Sequence, residues 1–377
     1  LSGRERDACL LSGGLDSATV LCRMPEATLA CSAVSEREDD ADSAAIRTLN
    51  AALPQAPLHR RLEHPEQWVP SVRAVYPRLA TPYAASMTLA AALYRAAAER
   101  GARVVLDGVE GDLVYSLAGD YPRALAAEGR WSEALLELSH LGRARQARSL
   151  LHTAPRLLLA PLQPRWLARS RQRRRKDTMI RAALARSPLA RALRESDDLA
   201  RHLRHEAQAR PGRMASTRAL HAQYLSWPTL VTGVERYDAT AAACGVEARH
   251  PLLDVELVEF ALNLPWDLKR FRALAKTGLR RASRGRLPAR ILERVDKPHL
   301  GASFILATLG AEWDRIHVDV HDTRGLWSEY LDADAVLRRC VPKDPPDVHP
   351  DLTPWDIHAL GSWLSSLREV PTEKHLP

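Results

Sequence analysis

The stretch A-C-L-L-S-G-G-L-D-S, from Ala8 to Ser17, decides the fold. Its first four residues are apolar and predict a buried strand, and the residues after the glycine pair predict a helix that runs to Met24. The glycines let the backbone approach an anion without a Cβ in the way, and the N–H groups of the loop and of the helix start then face that anion. We predict a phosphate-binding loop, for which the alternative is a tight turn capped by Asp16 and Ser17.

Short apolar runs alternate with helical ones through the first 110 residues. Residues 28–35, 58–62 and 102–106 predict three more strands, and helices are predicted at about residues 39–53 and 84–100. Strands that alternate with helices imply right-handed crossovers and a parallel sheet with helices on both faces. The predicted fold class is therefore α/β.

A second acidic motif, L-D-G-V-E-G-D, runs from Leu106 to Asp112 at the end of the predicted fourth strand. Because the carboxyl ends of parallel strands meet at one edge of a sheet, we expect Asp112 to approach Asp16 there. Two carboxylates from separate strand ends suit an Mg²⁺ ion that bridges phosphates. The alternative is a turn made by Gly108 and Gly111, with Asp112 as a helix N-cap.

Composition narrows the class of protein. Of the 377 residues, 46% are hydrophobic and 27% are charged, a globular balance that excludes wholesale disorder and a fibrous repeat. The five cysteines are irregularly spaced and form no C-x-x-C pair, so we expect a reducing compartment and neither a disulfide framework nor a zinc site. No apolar run approaches the roughly 18 residues of a membrane span, and the first residues do not resemble a signal peptide. We predict a cytoplasmic protein that does not enter a membrane.

The positive charge is concentrated in one segment. The net charge of +8 suggests a polyanionic partner, either nucleic acid or a phosphate-rich ligand. Residues 143–213, however, contain 19 Lys and Arg against 5 Asp and Glu, a local net charge of +14, so the rest of the chain carries −6. Residues 120–377 as a whole have few β-branched runs and many Leu, Ala and Arg repeats, which predicts a mainly helical part.

Four motifs in order support a resemblance to a known family. S-G-G-x-D-S resembles the signature of the PP-loop ATP pyrophosphatases, which cleave ATP between its α- and β-phosphates. G-V-E-A-R-H-P-L-L-D, from Gly245 to Asp254, resembles the asparagine-synthetase type of C-terminal domain. K-x-x-L-R, which begins at Lys276, and then Arg294 with Lys297, follow in the family's order, and the resemblance covers residues 10–309.

The resemblance implies a fold and a division of the chain. It implies a parallel five-stranded sheet between helices, with residues 1–119 as the nucleotide-binding PP-loop core. Residues 120–377 would form a mainly helical synthetase part that carries the basic insertion 143–213. We interpret the chain, which begins at Leu1 without methionine, as a fragment or a processed chain that leaves room for an upstream glutaminase-like domain. ATP and Mg²⁺ are the implied cofactors.

The resemblance also assigns roles position by position. The residues matched to ATP and pyrophosphate binding lie in the first loop, at the end of the second strand and in the second motif: Leu11, Ser12, Gly13, Gly14, Asp16, Ser17, Val34, Ser35 and Gly108. Asp16 and Asp112 match the Mg²⁺ ligands. Negative charge builds on the α- and β-phosphates as pyrophosphate leaves, so Mg²⁺ and a nearby cation are expected there.

Two further residues are the predicted catalytic residues. Glu247 matches a glutamate on the amine-binding side, where a carboxylate can accept a proton from the amine or hold it in place. Lys297 matches a lysine that contacts the phosphates. The alternatives are that Glu247 is the ion-pair partner of Arg249 and that Lys297 is a solvated surface charge. Lys276 and Arg280, at helical i, i+4 spacing, would form either a solvated face or a substrate clamp.

The resemblance implies one reaction scheme, and the relatives differ in the amine that they use. A carboxylate attacks the α-phosphorus of ATP, pyrophosphate leaves, and an amine converts the acyl-adenylate to an amide. Asparagine synthetases use ammonia, β-lactam synthetases close a ring on one molecule, and lasso peptide cyclases use the N-terminal amine of a peptide. This chain has Val109 where asparagine synthetases have Glu and the β-lactam-forming relatives a catalytic Tyr, with Glu110 offset by one position, and Leu113 follows Asp112 in place of an Asp-Glu pair.

These departures and the basic insertion favour a lasso peptide cyclase, a macrolactam-forming ligase. We expect an acidic core peptide as its substrate and a leader-binding protein and a protease as its partners, and we do not expect nucleic acid. Three alternatives stay open: an asparagine synthetase, a PP-loop tRNA-modifying enzyme, and a non-catalytic nucleic-acid-binding or scaffold protein.

Overall fold

Five strands form one parallel sheet: β1 (Arg6–Leu10), β2 (Leu29–Ala33), β3 (His59–Leu62), β4 (Ala102–Leu106) and β5 (Glu247–Arg249). Their order across the sheet is β3-β2-β1-β4-β5. The structure is a computed structural model that describes residues 6–34, 40–54, 59–64, 67–68, 73–75, 78–79, 81–82, 87–117, 121–144, 164–209, 216–226, 228–295, 302–340 and 353–369. Every neighbouring pair of strands is parallel, which confirms the predicted α/β fold.

Helices surround this sheet and form most of the second half of the chain. In chain order they are α1 (Leu15–Leu21), α2 (Ala41–Ala52), α3 (Thr88–Ala98), α4 (Gly111–Tyr115), α5 (Tyr121–Ala127), α6 (Trp131–Ala144), α7 (Arg165–Arg186), α8 (Arg191–Arg194), α9 (Asp197–Ala209), α10 (Thr217–Leu225), α11 (Pro228–Ala243), α12 (Val255–Asn263), α13 (Trp266–Lys269), α14 (Thr277–Ala282), α15 (Ala289–Leu292), α16 (Ala302–Asp322), α17 (Arg324–Trp327), α18 (Ala333–Arg339) and α19 (Thr353–Glu369). A 3₁₀ helix covers Pro251–Leu253, and a small hairpin pairs β6 (Arg270–Phe271) with β7 (Leu274–Ala275). Among the described helices, none is long and apolar enough to span a membrane.

The central strands β1 and β2 are buried on both faces, as their apolar runs require. Successive residues of a strand point to opposite faces, so Ala8 and Cys31 join the apolar cluster that contains the alanine-rich α3, while Cys9 joins the cluster that contains α1. Ala8, Cys9 and Cys31 are fully buried. The sheet therefore holds the carboxyl ends of its strands in fixed relative positions, and the loops that follow β1 and β4 start from there.

The fifth strand comes from the helical half of the chain. Residues Val104–Leu106 of β4 align with Glu247–Arg249 of β5, in parallel register. A three-residue strand is too short to produce a clear alternating pattern in the sequence, which is why sequence periodicity located four strands and the resemblance supplied the fifth. The nucleotide-binding end of the sheet is consequently built from both parts of the chain.

Residues 164–209 of the basic insertion form helices that are fixed to the C-terminal region. Asp332 donates its backbone N–H to Pro188 and Ala190 donates to Tyr330, both at 2.8 Å. Arg339 Nη2 donates to the carbonyl of Arg186, also at 2.8 Å. The junction between α7 and α8 is thus held by three hydrogen bonds to the region around α18.

Candidate active site

The phosphate loop (residues 11–17) links β1 to α1 and is fixed by its own side chains. Ser17 Oγ donates to Gly14 O at 3.3 Å and accepts the backbone N–H of Ser12 at 3.1 Å. Ser12 Oγ lies 3.0 Å from Ser17 Oγ and accepts the N–H of Gly14 at 3.3 Å. The two hydroxyls therefore shape the loop from within, and their predicted contact with phosphate remains a prediction.

The backbone conformation at position 13 requires a glycine. Its φ is 77, in the left-handed region, and a Cβ at this position would lie 2.9 Å from Asp42 O. Arg294 Nη1 donates to Gly13 O at 3.1 Å, and Arg294 Nη2 contacts Asp42 Oδ1 at 2.9 Å. The outer side of the phosphate loop is thereby closed against α2.

The acidic loop (residues 107–112) follows β4 and lies directly on the phosphate loop. A Cβ on Gly108 would come within 2.7 Å of the backbone carbon of Asp16. A Cβ on Gly111 would lie 2.5 Å from Asp16 Cγ and 2.8 Å from Leu252 Cδ1. Both glycines are required by close packing, so the predicted approach of the two loops is present in the structure.

Lys276 lies between the carboxylates of the two loops. Its Nζ forms ion pairs with Asp16 and with Asp112 Oδ1, the second at 2.8 Å. The residue is buried, and its backbone is left-handed, with a φ of 58, at the N-cap of α14. Its N–H donates to Lys269 O at 2.7 Å, so the β6–β7 hairpin between them delivers the side chain to the site.

The donor set at this position fits an Mg²⁺ ion. Oxygens of Asp16 and Asp112 contact the same Nζ atom, so a single cation can reach both carboxylates. Mg²⁺ usually takes one or two protein carboxylates and completes its shell with phosphate and water oxygens. Within the described ranges, no group of three or more His, Cys, Asp or Glu side chains is placed to hold a metal ion. The two carboxylates are the side chains that would hold Mg²⁺ together with substrate phosphates.

Arg280 braces the segment that leads to Arg294. Its guanidinium donates to three carbonyls: Nε to Ala275 at 2.8 Å, Nη1 to Leu292 at 2.5 Å and Nη2 to Arg294 at 2.9 Å. Burial lowers the pKa of Arg280, while the charges of Asp16 and Asp112 oppose that shift. Arg280 thus connects the end of the hairpin to the segment that contacts Gly13.

Replacing Arg280 by methionine should lower the free energy of unfolding by about 3 kcal/mol, because it leaves three carbonyls without their donor. Urea unfolding measures this loss. Arg281→Met is the matched control, since Arg281 is the next residue of α14 and is exposed. Equal stability of the two variants would show that the three hydrogen bonds of Arg280 contribute nothing.

His250 and Asp107 hold the start of the acidic loop. His250 Nδ1 lies 2.8 Å from Asp107 Oδ1, which also accepts the N–H of Val109 at 3.0 Å. Both side chains are buried. Burial lowers the pKa of His250, but the hydrogen bond and charge of Asp107 and the charge of Asp238 outweigh it, so the pKa is raised overall. The imidazole therefore fastens the end of β4 to the end of β5.

His221 holds the other end of the acidic loop from α10. Its Nε2 lies 2.8 Å from the carbonyl of Leu113 in α4, and the residue is fully buried. Burial, with the charge of Lys269, lowers its pKa to about 4. The neutral imidazole donates to this carbonyl, so His221 positions the helix that carries Asp112.

This buried histidine predicts a loss of stability in acid. In the unfolded chain, His221 takes up a proton near pH 6.5, whereas in the folded chain it does so only near pH 4. The stability that its neutral imidazole contributes is therefore fully present above pH 6.5 and is lost as the pH falls from 6.5 to 4. We expect His221→Gln, which keeps a donor but does not titrate, to remove about 2–3 kcal/mol of the decrease between pH 7 and pH 4.5. Urea unfolding at both pH values measures it, and an identical decrease in wild type and variant would contradict it.

Four other residues were predicted to contact ATP or its phosphates, and only two of them lie in the described part of the chain. Leu11 is buried and donates to Cys31 O at 2.8 Å, and Val34 follows β2 and donates to Leu62 O at 3.0 Å. Ser35 and Lys297 lie outside the described residues, so their predicted roles stay predictions.

Glu247 is not brought to the two loops. It lies in β5, two residues before the carboxyl end of the strand, and its side chain is 60% exposed. Its Oε1 contacts Arg249 Nε at 2.7 Å, and this hydrogen bond lowers the pKa of Glu247. The ion pair with Arg249, one of the two interpretations of Glu247, is therefore present, and a catalytic role for Glu247 stays a prediction.

Sequence reasoning left the place of Lys276 open. The i, i+4 spacing placed Lys276 and Arg280 on one face of a predicted helix. In the structure, α14 begins at Thr277, and Lys276 precedes it in a left-handed conformation. Neither residue forms a solvated face. The signal that could have located Lys276 is its place directly after a short hairpin, which the sequence does not mark with a glycine.

A protein-family model described as asparagine synthase matches residues 2–346 of the chain. The match includes the phosphate loop, the acidic loop and Lys276. No curated protein matches the chain.

Proposed function

Because the chain belongs to the asparagine synthase family, we propose that it closes a macrolactam, by adenylating a side-chain carboxylate of a peptide and joining it to the N-terminal amine of that peptide. The family establishes the coarser part of this statement: the protein is an ATP-dependent amide ligase, of a family that uses ATP with Mg²⁺. The identity of the amine and of the acid is the proposal.

The first half-reaction makes an acyl-adenylate. A carboxylate oxygen attacks the α-phosphorus of ATP, the bond to the β-phosphate oxygen breaks, and pyrophosphate leaves with the electron pair. Bound Mg²⁺ would neutralise the charge that grows on the phosphates. The phosphate loop binds the leaving group, Asp16 and Asp112 would hold Mg²⁺ next to it, and the ammonium of Lys276 adds a fixed positive charge beside it.

The second half-reaction forms the amide. The nitrogen lone pair of the amine attacks the acyl carbon, the C–N bond forms, and the C–O bond to AMP breaks. A proton leaves the amine in this step. Positioning both ends of one peptide in the crevice makes the attack intramolecular in effect, which accounts for a large part of the rate in such reactions.

The observation that carries the peptide proposal is the shape and charge of the basic insertion. Arg181, Arg191 and Arg194 line an open cavity of about 390 Å³ between α7 and α8, beside the apolar Leu184 and beside Glu195, whose carboxylate pairs with Arg191 at 2.9 Å and leaves a net positive lining. Its size falls in the range of ligand pockets, and guanidinium groups next to an apolar surface suit a peptide segment that contains carboxylates. We propose that an acidic core peptide contacts this cavity and that a leader-binding protein and a protease act with the enzyme.

A direct comparison of substrates tests the proposal. The enzyme is incubated with Mg²⁺-ATP and either aspartate with ammonium, or synthetic peptides that have a free N-terminal amine and one internal Asp or Glu. We expect AMP to form with a peptide, and mass spectrometry to show the loss of one water from it. Asparagine formed from aspartate, with no peptide dehydrated, would instead support asparagine synthesis, which the family match also favours.

A further inference from the structure

Glu137 of α6 is a fully buried carboxylate that binds two other segments of the chain. Its Oε1 accepts the backbone N–H of Arg272 at 3.0 Å, and its Oε2 accepts the N–H of Ala273 at 3.3 Å. Oε2 also accepts a hydrogen bond from the hydroxyl of Tyr121, in α5, at 2.5 Å. These three donors satisfy a carboxylate that would otherwise be costly to bury. Glu137 thus ties α6 both to the β6–β7 hairpin and to α5.

Arg272 and Ala273 form the turn of the β6–β7 hairpin, and their backbone conformation is one that side chains disfavour. Phe271 pairs with Leu274, so the turn has two residues, and their φ values of 51 and 62 are both left-handed. Such turns usually contain Asn-Gly, because glycine adopts a positive φ without strain. The sequence of this turn therefore does not favour its shape. Glu137 accepts the N–H groups of both turn residues and so holds the turn from outside the hairpin.

The other end of the hairpin presents Lys276 to the site. Lys276 directly follows β7, and its N–H donates to Lys269 O at 2.7 Å, which closes the base of the hairpin. Its Nζ pairs with Asp16 and Asp112. Since two paired strands of two residues each join the turn to this base, a shift of the turn also moves Lys276.

The bond to Tyr121 connects the same carboxylate to the region that carries Asp112. Tyr121 is fully buried and begins α5, the helix that follows α4 in the chain. The guanidinium carbon of Arg270, in β6, lies 5.6 Å from the centroid of the Tyr121 ring, and its Nη1 donates to Leu117 O at 2.7 Å. Glu137 and Arg270 therefore fasten the hairpin to the α4–α5 region.

We infer that Glu137 is a positioning residue for nucleotide binding, which holds the β6–β7 hairpin so that the ammonium of Lys276 meets the two carboxylates of the ATP site. The inference rests on the ATP site of the proposed function, but not on which amine or acid the enzyme joins. No bond forms or breaks at Glu137, and its effect on affinity passes through Lys276.

The variant Glu137→Gln keeps the size of the side chain but replaces one acceptor oxygen by an NH₂ group, which cannot accept the N–H of the turn residue that faces it. We expect the Kd of the Mg²⁺ complex of α,β-methylene-ATP, measured by calorimetric titration, to rise about tenfold, the usual loss for a hydrogen bond to a charged group. The same substitution in Lys276→Met should change the Kd by less than about twofold, since the ammonium that Glu137 positions is then absent. A general loss of structure would instead weaken binding equally in both backgrounds.

Two further variants complete the test. Glu312→Gln is the matched control, because Glu312 of α16 is a carboxylate with an 11% exposed side chain that binds Arg73. It should lower the Tm but keep the Kd within about twofold of wild type. If Glu137→Gln does not fold, the milder Tyr121→Phe decides: removing one donor to Glu137 should raise the Kd about fivefold in the wild type and not in Lys276→Met.

The outcomes separate this inference from the proposed function. Wild-type affinity in Glu137→Gln, or an equal loss in both backgrounds, overturns the inference and leaves the ligase proposal standing. Wild-type affinity in Lys276→Met overturns it too, since Glu137 would then have no ammonium to position. A folded wild type that does not bind the Mg²⁺ complex of the analogue overturns the ATP site itself, and with it both the inference and the proposed function.

Discussion

Replacing Lys276 by methionine should lower the affinity for the Mg²⁺ complex of α,β-methylene-ATP about 100-fold and the rate of pyrophosphate exchange about 1,000-fold. Its Nζ contacts both Asp16 and Asp112, and the residue is buried. Methionine fills nearly the same volume without the charge, so the two carboxylates and the incoming phosphates would lose one of the two cations that offset their repulsion. Calorimetric titration with the analogue measures the binding loss without requiring the second substrate.

The chain supplies a matched control for this change. Lys269 is also a deeply buried lysine, and its Nζ donates to Leu262 O at 3.2 Å, away from both carboxylates. Burial, with the charge of Arg218, lowers its pKa to about 8, so methionine at this position removes a charge that is already poorly solvated. Lys269→Met should bind the analogue within about threefold of wild type. Equal binding by Lys276→Met and Lys269→Met would show that the ammonium of Lys276 does not act on the nucleotide.

The sequence predicted the sheet because its signals are local. Residues 8–17 combine a buried strand, a glycine turn and a helix within ten positions, and each signal depends only on neighbouring residues. The four strands found by periodicity are present at 6–10, 29–33, 59–62 and 102–106. The strand at 247–249 was not visible as a strand, because three residues carry no period and its place is set by pairing with Val104–Leu106.

The site was less accessible to sequence reasoning than the fold. Asp16 and Asp112 could be brought together because both follow strands of one parallel sheet. The interaction of Lys276 with them depends on a hairpin and on a left-handed residue that is not glycine, and neither has a clear sequence signature. The left-handed conformation of Glu110 is equally hidden, since the D-G-V-E-G-D motif has its glycines at other positions. Strained residues were thus the ones that local rules missed, as expected for a functional site.

Replacing Gly111 by alanine should reduce pyrophosphate exchange about 1,000-fold, with a much smaller effect on folding. An added Cβ would stand 2.5 Å from Asp16 Cγ on one side and 2.8 Å from Leu252 Cδ1 on the other. Leu252 is buried in the core cluster that contains α1, so it cannot yield as an exposed side chain could. The carboxylate of Asp16 and the helix that carries Asp112 must therefore separate, which removes the shared cation site.

The expected stability change of Gly111→Ala separates this mechanism from simple misfolding. Overpacking one methyl group costs about 1–3 kcal/mol, a loss that urea unfolding would detect in a protein that remains folded. Gly325→Ala is the matched control, because Gly325 lies in α17 with nothing within 4 Å of its added Cβ, and alanine there should be neutral or stabilising. A folded Gly111→Ala protein that keeps pyrophosphate exchange within threefold of wild type would show that Asp16 and Asp112 need not meet. If exchange is lost, and the affinity for Mg²⁺ with the ATP analogue falls with it, the close contact at Gly111 is what brings the two carboxylates to one cation.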